Sequence, residues 1–222
     1  MFPDMLISTT DWATIATFAT AIGTLVLAVA TFAAVHSANQ TARIAEAAYR
    51  ANLRPVLVTS RQEDPQQKMR WADDHWAHVP GGQGSVEFVD NNIYLALSLR
   101  NVGAGLAVPI GWCVFTEPLR GDTPHAEPGE FRMQTRDLFI AGDDVGFWQA
   151  AIRQATNDPQ YGALRQRVVD SDQFTIDLLY GDQEGGQRTI TRFLMAPLRR
   201  GEESRWYPST VRHWNLDRPD PR

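Results

Sequence analysis

The hydrophobic pattern of the chain changes near residue 55, and one apolar run dominates the part before it. From Trp12 to Val35 there is no ionisable side chain. A helix over these residues would measure about 36 Å, enough to cross a hydrocarbon core about 30 Å thick. Because a lone segment in lipid can satisfy its backbone amides only as a helix, the run predicts a transmembrane helix over 12–35, preceded by a short tail over 1–11.

Two other kinds of segment carry apolar runs near an N-terminus. A cleaved signal peptide normally begins with positive charge, whereas residues 1–11 contain Asp4 and Asp11 and no lysine or arginine. A buried helix of a soluble protein usually has an apolar run about half as long. The pattern therefore favours a single-pass membrane anchor.

The charges that flank the run predict its orientation. No basic residue precedes Trp12, and the basic side chains that follow are His36, Arg43, Arg50, Arg54 and Arg61. Because cytoplasmic flanks carry the excess of basic residues, we predict a plasma-membrane protein with its N-terminus outside and its C-terminal part in the cytoplasm. The single cysteine, Cys113, cannot form an internal disulfide, which agrees with a reducing compartment.

The predicted transmembrane helix has two unlike faces. Bulky apolar residues such as Ile15, Phe18 and Ile22 recur along one side. Small residues gather on the other side, at Thr17, Thr20, Ala21, Thr24, Ala28 and Thr31. Small residues let helices approach closely in lipid, and threonines can hydrogen-bond across the contact, so this face is a candidate for self-association. The alternative is that these residues simply face lipid.

The helix is expected to continue beyond the bilayer. Neither Gly nor Pro occurs from Thr24 to Arg54, and Pro55 then ends the helical pattern. This predicts a helical stalk over 36–54. The stalk has a narrow stripe of alanines with arginines outside it, so it could pack against a sister stalk, against the following domain, or in the lipid headgroups.

After Pro55 the apolar positions alternate, which predicts a mainly β domain over 55–222. The strand segments are 55–60, 85–90, 93–101, 108–116, 173–180 and 188–195. The turn-rich tract Gly181 to Gly186 is expected to join the last two as a hairpin. Short strands with such connections favour an antiparallel, immunoglobulin-like β-sandwich.

Three stretches depart from this alternation. Residues 61–84 are polar and aromatic, which predicts a long loop or excursion. Residues 147–168 predict one or two short inserted helices, with Asp158 as a cap and Pro159 as a first helical residue. Residues 205–222 form a tail rich in Arg, Trp and Pro.

One motif carries a resemblance. The stalk ends in Arg54-Pro55, and the strand over 93–101 ends in an N-x-G-x-G-x-A turn made of Asn101, Gly103, Gly105 and Ala107. Glycines permit positive φ in a tight turn, and Asn can bond to its own backbone. In this order of parts the chain resembles the uncharacterised bacterial single-span membrane proteins with a C-terminal immunoglobulin-like β-sandwich. The resemblance implies that fold and brings no known activity.

Composition limits the classes of function. At 222 residues there is room for one domain and an anchor. The net charge of -5 and the pI near 5.5 argue against a nucleic-acid partner. No nucleophile or nucleotide motif occurs, so we predict no catalytic residue and no cofactor. Cys113 lies among Trp112, Val114 and Phe115, which favours a buried, inert thiol.

Two polar clusters remain as candidate sites. Asp73, Asp74, His75 and His78 are residue types that a hydrolytic metal accepts, and Asp90 could complete such a site. The alternative is a solvated loop held by its tryptophans. The second cluster is a candidate interaction strip or, alternatively, the cover of a sandwich edge, and consists of Arg205, Trp206, Tyr207, Arg212, His213 and Trp214.

Three hypotheses for function follow. The first is a membrane-tethered, non-enzymatic interaction or scaffolding module, whose partners are the lipid bilayer, a second copy of the helix and an unknown protein. The second is a membrane-anchored sensor or small-ligand receptor that signals through the stalk. The third is a metal-dependent hydrolase that uses His75 and His78.

Overall fold

A computed structural model describes residues 9–156, 158–200 and 203–219. The chain divides into two compact units, Met1–Ala51 and Asn52–Arg222. The predicted tail over 1–11 lies largely outside the described residues, but Thr9 already belongs to a helix. Each unit is described by itself below.

The first unit is built from one helix, α1, which spans Thr9–Asn52. The apolar run and the stalk are thus one uninterrupted helix, as predicted. In the described part of the chain, α1 is the one helix that is both long enough and apolar enough to cross a membrane. The candidate span begins at Trp12. Its large apolar side chains, such as Phe18 and Leu25, are exposed. On the polar stretch Arg50 pairs with Glu46 one turn earlier.

The second unit is a mainly antiparallel β domain with one further α-helix, which confirms the predicted fold class. Its elements in chain order are β1 (Leu57–Thr59), β2 (Gln67–Arg70), β3 (Trp76–Val79), β4 (Gly84–Val89), β5 (Asn92–Asn101), β6 (Val108–Phe115), β7 (Arg132–Met133), β8 (Val145–Arg153), α2 (Tyr161–Asp170), β9 (Phe174–Gly181), β10 (Arg188–Arg200) and β11 (Glu203–Asn215). Short 3-10 turns lie at Pro128–Glu130 and Gln154–Thr156.

Nine of these strands form two layers. The β5 sheet contains β8, β5 and, along the other edge of β5, β4 and β1. The β9 sheet has the order β11, β10, β9, β6, β7. Among the described residues, Trp206 and Gly84 are the backbone pair that joins the two. Because the main core takes residues from both sheets, among them Leu95, Leu97 and Ile176, the layers pack face to face as a sandwich.

Both sheets are also covered on their outer faces. The hairpin cover, β2 and β3 with the residues between them (67–79), packs Met69 and Val79 against Tyr94 and Ala96 of the β5 sheet. The loop cover, residues 117–131, lies over the β9 sheet, where Phe131 joins a separate apolar cluster. As a result every residue of β9 is buried.

Two predicted segments were only partly right. Residues 61–84 form an excursion that contains the hairpin β2 and β3 rather than a long loop. Of the short helices predicted over 147–168, α2 forms from Tyr161, whereas residues 147–153 are strand β8. The predicted tail begins within β11, which ends at Asn215. In β8 the apolar side chains face both ways: Trp148 enters the main core and Phe147 packs under the hairpin cover. A strand with apolar side chains on both faces shows no alternation of apolar and polar residues.

Other predictions were closer. The hairpin between β9 and β10 is confirmed by their antiparallel pairing. Helix α2 begins at Tyr161, after the predicted Pro159, and the Asp158 carboxylate accepts from the Gln160 backbone N–H at 2.9 Å. Asp158 thus holds the turn that leads into the helix, although Gln160 occupies the cap position.

The Asn101 turn is fully hydrogen-bonded. The Asn101 carboxamide is buried, donates to the carbonyls of Gly105 (2.6 Å) and Ile140 (3.1 Å), and accepts from the backbone N–H groups of Val56 and Gly103, each at 3.0 Å. All four of its bonding positions are occupied. This side chain therefore ties the start of β1 to the end of β5.

The expected role of the two glycines in this turn was wrong. Among the described glycines, positive φ occurs at Gly82 and Gly185, not at Gly103 or Gly105. What excludes a side chain is close packing, since a Cβ at Gly105 would lie 1.7 Å from the Leu53 carbonyl oxygen. The Asn101 turn thus packs directly on the segment that follows α1.

Arg54 belongs to the β domain and not to the stalk. The helix ends at Asn52, and the buried Arg54 guanidinium donates to Thr189, Asn215 and Asp217. Burial opposes ionisation of Asp217, but its bonds with Arg54 and a backbone N–H outweigh burial and lower its pKa. The entry of the chain into the domain is therefore fixed at the ends of β10 and β11.

Candidate binding cleft

One cleft in the β domain, which we call the hairpin cleft, has a volume of about 800 Å³. It lies between the hairpin cover, residues 134–136 and strand β8. Its lining residues are Lys68, Arg70, Trp71, Ala72, Trp76, Gln134, Thr135, Arg136, Phe147, Gln149, Ala150, Ala151 and Arg153. Three segments distant in sequence thus meet around one cavity.

The lining of the hairpin cleft is strongly positive. Lys68, Arg70, Arg136 and Arg153 contribute to it, and no carboxylate does among the described lining residues. This contrasts with the net charge of -5 of the whole chain. A concave surface lined by one sign of charge concentrates ligands of the opposite sign. The geometry therefore favours an anionic ligand.

Two of these cations are available for a ligand. Arg70 pairs with Asp74, and Arg153 lies 3.1 Å from Asp73. For Lys68 and Arg136, no ion pair is found within the part of the chain that the structure describes. They retain their full charge toward the cleft.

An exposed tryptophan lies at the rim. Trp76 is 47% exposed on β3. The Lys68 Nζ atom lies 4.7 Å and the Arg70 guanidinium 5.4 Å from its ring centroid. Cations over an aromatic face leave a flat surface that combines apolar contact with positive charge. Tryptophan and arginine are the residue types that most often dominate protein-binding surfaces.

Hydrogen bonds between glutamines hold the wall of the cleft. Gln149 donates through Nε2 to the Arg70 carbonyl at 3.1 Å, and Gln134 donates through Nε2 to the Gln149 carbonyl at 3.1 Å. Arg136 donates to the same Arg70 carbonyl at 3.3 Å. The Oε1 atoms of Gln134 and Gln149 are buried and accept no bond from the described protein atoms. Two acceptors in the wall therefore favour a ligand that supplies N–H groups.

The predicted metal ligands lie beside this cleft but are not a cluster. Asp74, in the hairpin turn at φ 63°, pairs with Arg70. His75 stacks on Tyr94 with ring centroids 3.9 Å apart, and its Nε2 lies 3.0 Å from the Glu87 carboxylate. His78 is exposed on β3. Within the described residues no group of three or more His, Cys, Asp or Glu could hold a metal ion.

Asp73 has a structural role in the same turn. It accepts from the Tyr94 hydroxyl at 2.6 Å. Burial opposes its ionisation, but the bond from Tyr94 and the charge of Arg153 outweigh burial and lower the pKa of Asp73. Asp90, the fifth predicted ligand, lies in the turn between β4 and β5 at φ 48°. These residues therefore fix the shape of the hairpin cover and of a turn.

The predicted interaction strip is not a continuous exposed surface. Trp206 is buried in the main core, 5.3 Å from the Phe174 ring centroid, whereas Trp214 is buried in the cluster under the loop cover. The two lie on opposite faces because the pairing of β11 with β10 shifts register between Arg192 and Phe193. Of the remaining members Arg205 is exposed and Tyr207 is half-buried. The Arg212 guanidinium lies 5.3 Å from the Trp214 ring, and His213 Nδ1 lies 2.7 Å from the Thr191 hydroxyl. The residues of the predicted strip thus belong to β11 and point to both of its faces.

The predicted self-association face lies entirely on α1. The hydroxyls of Thr17, Thr20, Thr24 and Thr31 each donate to the backbone carbonyl four residues earlier. Ala21 and Ala28 are exposed between them. The donors are used inside the helix, so contact through this face would depend on close packing rather than on threonine hydrogen bonds. Self-association stays a prediction.

The loop cover contrasts with the hairpin cleft because its polar centre is closed. Arg192 and Asp177 are fully buried and form two bonds of 2.8 Å. Arg192 also donates to the carbonyls of Arg120, Thr123 and Pro124 in the loop cover. Its guanidinium lies 4.8 Å from the Trp214 ring. This pair fastens the cover and leaves no group facing a ligand.

Cys113 belongs to the same closed region. It is buried, and its thiol donates to the Glu130 carbonyl at 3.3 Å. Burial raises the pKa of the thiol to about 11, with a smaller contribution from the charge of Asp177. A thiol that ionises so far above neutral pH is a poor nucleophile, as expected from its apolar neighbours in the sequence.

No protein-family model, curated protein or solved structure matches the chain. Function must therefore be inferred from the geometry and charge of the hairpin cleft together with the apolar character of α1.

Proposed function

We propose that this chain is a membrane-tethered interaction module that binds a protein partner in the hairpin cleft. In this proposal α1 crosses the plasma membrane once, with the N-terminus outside and the β domain in the cytoplasm. The length and apolar exposure of α1 and the basic residues that follow its apolar part support the anchor. The observation that carries the binding role is the cleft itself, with four cations, an exposed tryptophan and no carboxylate among its described lining residues.

We also propose that the chain is related to the bacterial single-span proteins with an immunoglobulin-like domain. The two sequence elements behind that resemblance meet in the β domain, because Gly103 and Gly105 pack on the backbone of Leu53 and Arg54. A shared packing role gives a physical reason for the two elements to occur together. Relatedness would place the second unit among immunoglobulin-like sandwiches.

Membrane extraction and thiol labelling test the anchor and its orientation. We expect the full chain to stay in the pellet after alkaline extraction of membranes and to need detergent for release. The variant Gln183→Cys adds an exposed thiol in the β9–β10 turn, while the buried Cys113 gives little background. A membrane-impermeant maleimide should label the added thiol only after the membrane is permeabilised. Labelling in intact cells would reverse the orientation.

Site-specific photocrosslinking in the cells that express the protein tests the binding role. A photoreactive amino acid replaces Thr135, which is exposed in the cleft lining, or Gln183, which is exposed in the β9–β10 turn as a matched control. We expect a discrete protein adduct from position 135 and none from position 183. The same result at both positions, with or without adducts, would contradict a partner in the cleft.

A small anionic ligand is the second candidate, as expected for a sensor that signals through the stalk. The volume of about 800 Å³ favours it, because small-molecule sites usually measure about 300 to 1,000 Å³. This candidate predicts a rise in melting temperature with a soluble metabolite and no protein adduct at position 135. The two measurements therefore separate the candidates.

A further inference from the structure

Strand β8 has a free edge at the hairpin cleft. Within the part of the chain that the structure describes, it pairs with β5 alone. On β5 the Ser98 backbone N–H donates away from β8, to Gln83, and the Asn101 N–H donates toward it, to Asp144. Because hydrogen-bonding direction alternates along a strand, Leu95 and Leu97 bond to β8. Their partners are Ala150 and Trp148.

The remaining backbone groups of β8 consequently point away from β5. These are the N–H and C=O groups of Phe147, Gln149 and Ala151. The Gln149 carbonyl accepts from the Gln134 side chain. For the backbone groups of Phe147 and Ala151, residues 9–156, 158–200 and 203–219 supply no further partner. All three residues line the hairpin cleft. Such an edge is a template for one more strand.

The charges around this edge determine which strand would fit. Side chains of an added strand alternate between its two faces. Those on the cleft side would meet the cations of Lys68, Arg70, Arg136 and Arg153, which line the same cavity. Aspartate or glutamate at every second position is complementary to them, whereas lysine or arginine there would be repelled.

The hydrogen-bonding groups separate a peptide from a simple anion. The buried Oε1 atoms of Gln134 and Gln149 and the outward carbonyls of β8 are acceptors and require N–H donors. A phosphate or carboxylate ion mainly accepts hydrogen bonds and would leave them unpaired. An extended peptide supplies both N–H and C=O groups along its length, together with acidic side chains.

We propose that the hairpin cleft binds an extended acidic peptide segment of a partner protein, which adds as a strand to the free edge of β8. This inference rests on the proposed function and specifies the partner chemistry of the same site. The backbone of the partner bonds to Phe147 and Ala151, and its alternate acidic residues face the four cations.

Peptide binding to the full chain in phosphatidylcholine nanodiscs tests this proposal. The probe is a fluorescein-labelled eight-residue peptide that alternates glutamate and threonine. One control peptide has lysine in place of glutamate. The other keeps the glutamates but carries N-methyl groups on alternate backbone amides, which removes the donors of an added strand. We expect anisotropy to report saturable binding of the probe, and binding weaker by about tenfold or more for both controls.

Variants test separately the positive charge of the cleft and the free edge of β8. Arg136→Glu reverses a cleft charge and should weaken binding about tenfold, whereas Arg188→Glu, exposed on β10 outside the cleft lining, should leave it unchanged. Ala151→Pro removes an outward N–H that β5 does not use and should abolish binding. If Ala151→Pro lowers the melting temperature, Lys68→Glu serves as the second test.

The outcomes distinguish this inference from the proposed function. Equal binding of the N-methylated peptide, or displacement of the probe by millimolar inorganic phosphate, would overturn strand addition in favour of a simple anion site. Loss of binding when phosphatidylserine is added to the nanodiscs would identify a lipid headgroup as the occupant. No peptide binding with an intact adduct at position 135 would overturn the acidic strand and keep a protein partner. If neither peptide binding nor the adduct at position 135 is observed, the proposed function is overturned as well.

Discussion

The two covers of the sandwich solve the same problem in different ways. Each hides the outer face of a sheet, so that strands of both sheets are buried on two sides. The loop cover is fastened by Arg192, whose guanidinium bonds to Asp177 and to three carbonyls. The hairpin cover instead borders a cleft with cations and two unpaired amide oxygens.

The difference shows how stability and binding are separated in one domain. A buried charge costs several kcal/mol unless it is paired, and the loop cover meets that requirement internally. Beside the hairpin cover, the described part of the chain leaves backbone groups of β8 unpaired at a strand edge. Changes to the loop cover should therefore reduce folding stability, and changes to the cleft should reduce binding.

The largest expected effect is that of Arg192→Met. Removal of the guanidinium leaves the Asp177 carboxylate buried without its cation and frees the loop cover. We expect the free energy of unfolding to fall by about 3 to 5 kcal/mol, measured by denaturant unfolding of the full chain in detergent micelles. The matched variant Arg188→Met, exposed on the same strand, should change it by less than about 0.5 kcal/mol.

The dependence on pH identifies the cause of that loss. Burial raises the pKa of Asp177 above 3.8, against the opposing bonds and charge of Arg192. A carboxyl group with a raised pKa in the folded state contributes its stability while protonated, and that contribution is lost as pH rises through the folded-state pKa. The loss in Arg192→Met should hence be larger at neutral pH than near pH 4, and adding Asp177→Leu should restore most of it. A loss independent of pH would assign the effect to packing alone.

The second prediction concerns the hairpin cover. Met69 is buried against the β5 sheet, and Met69→Ala should cost about 2 to 5 kcal/mol through the cavity it leaves. We expect hydrogen exchange to accelerate first in residues 67–79, because this hairpin is joined to the sheet mainly by side-chain packing. Met133→Ala removes a side chain that is 68% exposed and should be nearly neutral. Uniform acceleration across the domain would mean that the hairpin does not open by itself.

The sequence predicted the parts of the fold in which one physical rule acts alone. A long uncharged run specified α1, and strict alternation in residues 93–99 and 174–180 specified β5 and β9. Strand β8 was missed because apolar side chains occupy both of its faces, with Trp148 in the main core and Phe147 under the hairpin cover, which removes the alternation. Strands β2 and β3 were missed because each has four residues and carries charged or aromatic side chains outward.

The candidate site was less accessible to sequence reasoning. The predicted cluster at Asp73 and His75 lies on the hairpin that borders the cleft, but it was chosen for metal ligands and not for the cations on β2. Gln134 and Gln149 reach the cleft from segments far apart in sequence, and only the tertiary fold brings the Gln134 side chain to the Gln149 carbonyl. The spacing of Lys68, Arg70 and Trp76 was the one local signal, since alternate residues of a short hairpin share a face.

The smallest expected effect on stability is that of Gln149→Met. The substitution removes one bond to the Arg70 carbonyl, a loss of about 1 kcal/mol, but Arg136 still donates to that carbonyl. It also removes the buried Oε1 atom that has no donor, a gain of about 1 to 3 kcal/mol. The two effects oppose each other, so the free energy of unfolding should change by less than about 1 kcal/mol.

Peptide binding should nevertheless weaken in the same variant, because an acceptor for the N–H groups of the added strand is gone. Anisotropy with the acidic probe measures this, and Gln183→Met in the exposed β9–β10 turn serves as the control for both properties. A loss of stability near 3 kcal/mol would mean that Oε1 has a donor inside the protein. The hairpin cover would then be as closed as the loop cover, and the contrast between stabilising and binding surfaces would not hold.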